Sequence, residues 1–305
     1  MSEYAALLRV SQQSKVSAEE TKSDVLKLLP HLYRSEVERI PVLVLPYRDL
    51  DAFAAKIDGE LVIGFSQALF FVVDLILAHV YAVIHPDRFS LTDAYARFVA
   101  IALYIAKGGT TAIPREPTLW SPPFFDKLGY DRIEAALDYN AASAGSFIRL
   151  LLLLHEYFHI LCGHLNVQEE FDRFEILTDA PFEIAVYPEA IKMEIEADKR
   201  ALETLLESNR GECERFLPVY HILLSQLDLA LAIIAEKYGV QRKRQPWPVE
   251  RQQVTREIYM EVFGETPVLD WAIDVSEVFT AVKKGYLSMS NTQKKEIERM
   301  YSREG

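Results

Sequence analysis

The sequence predicts an α+β fold that is mostly helical, with a small antiparallel sheet near its N-terminus. Three observations carry that expectation. Short apolar runs at 41–45, 53–57 and 61–63 have strand length, and Asp58-Gly59 between the last two is a strong hairpin signal. Further along, apolar residues recur at helical spacing in long stretches bounded by Pro, Gly and Asn. Half of the 305 residues are hydrophobic, enough for a sizeable core.

Taken in order, residues 1–16 are polar and read as a flexible tail. Residues 17–29 open with Ser17-Ala18-Glu19-Glu20, a capped helix start. The three strands follow, and Gly64, Ser66 and Gln67 suggest a turn into helices over 66–85 and 91–107. The Pro-rich stretch 108–123 reads as a surface connection whose Trp120 covers an apolar edge, and 131–140 as a short helix. Helices are expected over 147–165, 190–208, 212–238, 250–263, 270–284 and 289–301, with an alternating strand at 182–187. No repeat or shift in composition divides the chain. Residues 17–305 read as a single domain with a helical C-terminal part from about 212.

The chemistry concentrates at His155-Glu156-Tyr157-Phe158-His159, at the end of the apolar run 148–154. Helical residues four apart differ by about 40° around the axis. Both imidazoles therefore face one way and can share a zinc ion. Glu156 projects beside them as a base for metal-bound water. A third ligand is required. His164 lies nine residues after His155, on the opposite side of a continuous helix, and reads as a helix-end residue or an outer partner. The H-E-x-x-H-x-x-G-x-x-H pattern fails, because Cys162 and Leu165 hold its Gly and His positions. Glu194 and Asp198 are four apart on the next predicted helix and share a face. One carboxylate can bind the ion while the other accepts the free N–H of a ligand imidazole. Glu194 is the favoured ligand, and Glu196 its rival.

The segments HEYFHILCGH (155–164) and EIEADKRA (194–201) resemble the Glu-zincin metallopeptidases, most closely the phage-exclusion Lit peptidases. That resemblance implies a zincin-like fold with His155, His159 and Glu194 as zinc ligands, Glu156 as base and Asp198 as outer partner of a ligand. It also covers a later H-P-x-x-x-x-R element shared with the HtpX-type membrane proteases. Here Gln245 stands in place of the His, while Pro246 and Arg251 keep their separation. The stretch between the two motifs, 165–193, is longer than in the family. In zincins the sheet lies above the H-E-x-x-H helix and its edge strand binds substrate backbone. Carried over, the arms around Asp58-Gly59 line the cleft.

Net charge of −12 argues against nucleic acid as a partner, and the basic run Arg242-Lys243-Arg244 reads as a solvated loop. Cys162 and Cys213 have no paired spacing, which suits a reducing compartment, and Cys162 reads as a buried inert thiol. The N-terminus lacks the features of a secretory signal. Residues 61–84 are long and apolar enough to span a bilayer, but Asp74 and His79 in the interior favour a core helix. A cytoplasmic location is expected, with membrane association as the alternative. The functional expectation is a zinc-dependent endopeptidase acting on an intracellular protein in phage exclusion. Arg251, His221, Tyr220 and Tyr187 are the candidates to stabilise the oxyanion or contact substrate. The rival expectations are a degenerate zincin-fold binding protein and a membrane-associated protease of the HtpX type.

Overall fold

A computed structural model describes residues 18–45, 52–66, 139–165, 188–238 and 248–301, together with Ala5, Leu69 and Val73. In chain order the elements are α1 (Ala18–Leu28), α2 (His31–Val37), β1 (Val42–Leu45), β2 (Ala52–Ile57), β3 (Glu60–Ser66), α3 (Tyr139–Leu161), α4 (Pro188–Ser208), α5 (Arg210–Tyr238), α6 (Pro248–Phe263), α7 (Pro267–Ser288) and α8 (Asn291–Tyr301). Among the described residues the chain is mostly helical, with one small sheet near the N-terminus.

The sheet is mixed rather than antiparallel. Its order is β1-β3-β2, with β2 antiparallel to β3 and β1 parallel to β3. Asp58 and Gly59 both have positive φ (52° and 89°), the geometry of a primed hairpin turn that matches the twist of its strands. β1 is buried at all four positions, as befits a parallel strand covered on both faces. Alternation along a strand encodes which face is buried but not which way its neighbour runs. The expected turn at Gly64 is also absent, since β3 continues to Ser66. The run 61–84 therefore does not form one helix. Its remainder, apart from Leu69 and Val73, lies outside the described residues.

Gly64 stays in the strand for a packing reason. Phe53 is its cross-strand partner and lays its ring over the glycine. A Cβ at 64 would sit 2.2 Å from the tip of that ring. Gly64→Ala should therefore cost about 1–3 kcal/mol of overpacking, read as a lowered Tm. An unchanged Tm would mean that the ring swings aside at no cost.

Helix α3 runs through the middle of the core. Phe147, Ile148, Leu151, Leu153, Leu154 and Tyr157 are all essentially buried. It packs on α4, on α1 and on the sheet through β2 and β3. It begins earlier than the apolar pattern suggests, because 141–146 is rich in Ala, Ser and Gly and carries no stripe. The short helix expected at 131–140 falls almost wholly outside the described residues, and α2 was not expected at all. Among the described residues, the stretch Ser143–Leu161 of α3 is long and apolar enough to cross a membrane; most of it lies buried inside the protein.

α4 begins with Pro188 at its first position, where the missing N–H costs nothing. α5 carries Pro218 in its interior and packs on α6 and α7. α6 also packs on α4. Thr266 caps α7, its hydroxyl accepting from the Leu269 N–H at 3.2 Å. This network brings α3, α4 and α6 together at one point. The expected helices over 91–107 and the strand over 182–187 lie outside the described residues.

Candidate metal centre

The point where α3, α4 and α6 meet is lined by ionisable side chains. His155 and His159 leave α3 on the same side, their Nε2 atoms 3.0 Å apart. Glu194 of α4 faces them, with Oε2 3.1 Å from His155 Nε2 and Oε1 3.3 Å from His159 Nε2. Among the described residues, these three form a group whose donor atoms all lie within 4.8 Å of one another. A tetrahedral ion with bonds of about 2.0–2.1 Å needs its donors roughly 3.3 Å apart. The observed separations fit that requirement. Both histidines are buried, and together with the Glu194 carboxylate they present two imidazole nitrogens and two carboxylate oxygens to one point. A shared cation is the partner that this donor set suits.

A third helix joins through Arg251 of α6. Its Nε lies 2.9 Å from Asp198 Oδ2, and Asp198 Oδ1 lies 2.8 Å from His155 Nδ1. The carboxylate thus takes the outer N–H of His155 and leaves Nε2 facing Glu194, the arrangement that fixes a ligand imidazole's tautomer. Arg251 Nη2 is 2.9 Å from His155 Nε2 and 3.4 Å from Glu194 Oε2. That arm points at the lone pair a metal would take, so metal binding requires the planar guanidinium to shift as a unit away from His155. Gln252, next in α6, donates from its amide to the His221 carbonyl at 2.9 Å and to the Ser225 hydroxyl. These bonds tie the Arg251 turn to α5.

His164 arrives by a route the continuous-helix argument did not allow. α3 ends with Gly163 at φ 74°, its N–H bonded to the Ile160 carbonyl, and the His164 N–H bonded to the His159 carbonyl. This is a Schellman turn with glycine in the left-handed position. It folds His164 back against the helix, so that its Nδ1 lies 3.0 Å from His159 Nδ1. His164 Nε2 lies 3.5 Å from Glu196 Oε2. Glu196, half-exposed as a solvent-facing residue should be, is thus turned toward His164 rather than toward the donor group. The one sign of this in the sequence was Gly163, a residue that can end a helix by reversing its hand.

Electrostatics follow from burial and charge. Burial pushes the Glu156 carboxyl up to about 7, His155 partly opposing it. Glu156 Oε1 lies 3.9 Å from His155 Nε2, at the edge of the donor group. Burial also penalises ionised Glu194, but its bonds to His155 and His159 outweigh this and hold it well below the usual carboxylate range. Burial and the Arg251 charge disfavour a protonated His155, while Asp198 and Glu194 more than compensate and raise it to about 9. Burial lowers His159 and His164, the latter also through its neighbour His159. The site therefore favours positive charge between His155 and Glu194 and a neutral ring at His164.

The other expected contacts divide. Tyr220 is buried, and burial raises the titration of its hydroxyl, with the Arg251 charge partly opposing. His221 is buried in α5 and lowered to about 4 by burial, with Arg256 as its charged neighbour. Its Nδ1 has no hydrogen-bond partner, and no described contact joins it to the donor group. Tyr187 and the basic run 242–244 lie outside the described residues. Cys213 is buried, its thiol pushed up to about 12 by burial. Cys162, just past the last residue of α3 and before Gly163, is only half-buried. No family model, no curated protein and no solved structure matches the chain.

Proposed function

We propose that this chain is a zinc-dependent endopeptidase that cleaves an intracellular protein. The observation that carries the reading is the position of Glu156. It stands beside a His155, His159 and Glu194 donor set, and burial lifts it toward neutrality. His155, His159 and Glu194 would hold the ion with three protein donors, the number typical of a catalytic rather than a structural zinc. Bound zinc would supply an acidified water and a polarised scissile carbonyl. Glu156 takes the water proton and returns it to the leaving amine. Asp198 keeps His155 in the tautomer that presents Nε2. Arg251, shifted as a unit from His155, would donate to the developing oxyanion.

β2 is an edge strand beside α3 among the described residues, which supports substrate docking there as an added strand. A degenerate binding protein would keep the donors but has no use for a buried base. The resemblance to the Lit peptidases, the acidic charge and the isolated cysteines support a cytoplasmic protein target in phage exclusion rather than nucleic acid or a membrane substrate. Purified protein should carry one zinc per chain by elemental analysis, and chelation should remove both the metal and the cleavage. A folded, cleaving, metal-free protein would sink the reading.

A further inference from the structure

We propose that His164 and Glu196 are positioning residues that hold His159 in its metal-binding orientation. The inference rests on the metal-centre reading and extends it to two residues outside the donor set.

His159 presents Nε2 to Glu194 and to His155 Nε2, so its Nδ1 faces away from the donor group. A neutral imidazole that gives Nε2 to a metal must carry its proton on Nδ1. The partner of that N–H is His164 Nδ1, at 3.0 Å. Two ring nitrogens at that distance need one donor and one acceptor, so His164 accepts on Nδ1 and carries its own proton on Nε2. That second N–H faces Glu196 Oε2 at 3.5 Å, longer than a good hydrogen bond and within reach of a charge attraction. The line Glu196, His164, His159 therefore runs in one sense, each proton directed away from the donor group.

The two ligand imidazoles are consequently supported by unlike partners. Asp198 backs His155 with a buried carboxylate. A neutral imidazole backs His159, with its carboxylate one residue further out and half-exposed. Loss of an outer partner of a ligand typically weakens metal binding by 10–100-fold. The Schellman turn makes the second arrangement specific, because only a left-handed residue 163 returns residue 164 to the ring of 159.

The test compares wild type with His164→Leu, His164→Asn and Glu196→Ala. Zinc affinity is measured by competition with a chromophoric chelator, and the Co2+-substituted proteins by visible absorption. Asn places an acceptor oxygen where Nδ1 was, so it should keep affinity within a few-fold of wild type. Leu should lose about 10–100-fold and shift the cobalt bands. Glu196→Ala lies on the exposed face of α4, leaves the fold intact and should lose less than His164→Leu. Wild type that takes up one ion while all three variants match it overturns this inference and leaves the metal reading standing. So does His164→Asn falling as far as His164→Leu. Wild type that takes up no ion removes both.

Discussion

Glu156→Gln retains one metal ion per chain and loses cleavage by about 10²–10⁴-fold, the usual contribution of a positioned acid–base group. The substitution is nearly isosteric, and the residue is 6% exposed, so packing around it changes little. What disappears is the ability to take a proton. Glu156 lies 3.9 Å from His155 Nε2 without being one of the three clustered donors, so metal uptake should survive. Burial sets its carboxyl near 7, where a base is strong enough to act yet ionised in useful amount at neutral pH. The measurement is a search for protein N-termini that appear in cells expressing wild type and are missing with the variant. Identical N-termini in both strains would remove Glu156 from the mechanism.

Glu194→Ala should cost metal affinity more than any loss of an outer partner, beyond the 10–100-fold range. Among the described carboxylates of α4, Glu194 alone spans both imidazoles, one oxygen to each Nε2. Its loss leaves two neutral donors on one helix. It also leaves Arg251 in a site with one fewer balancing negative charge, which disfavours a dication further. Glu196→Ala is the control, because that carboxylate faces His164 instead. Chelator competition on the two proteins decides the assignment, and a larger loss for Glu196→Ala would move the ligand to 196.

The parts of this centre governed by helical periodicity were legible in the sequence. His155 and His159 share a face because residues four apart must, and Glu194 and Asp198 do so for the same reason. Arg251 was visible only through its fixed spacing from Pro246, and its pairing with Asp198 depends on how α6 packs on α4. His164 read as a helix-end residue or an outer partner and is both, but helix angles alone could not bring it to the His159 ring. Helix angles hold only while the backbone stays right-handed, and Gly163 ends that condition one residue too soon. The parallel pairing of β1 was equally hidden, since four buried apolar residues are compatible with either direction. His221 was one of four unranked candidates for contact with the oxyanion or substrate. Its neighbours are Gln252 and Arg256 instead.

The convergence of three helices on one cluster has a thermodynamic consequence. Donors and their supports come from residues 155 to 251, so an ion bound there ties together segments far apart in the chain. Ligand binding to the native state alone adds RT ln(1 + [L]/Kd), about 4 kcal/mol at a free concentration a thousand times Kd. That is a large share of the roughly 5–15 kcal/mol by which folded domains exceed their unfolded chains. For this protein, metal supply and lifetime in the cell would then be one variable, with starvation for the ion felt first as turnover of the chain.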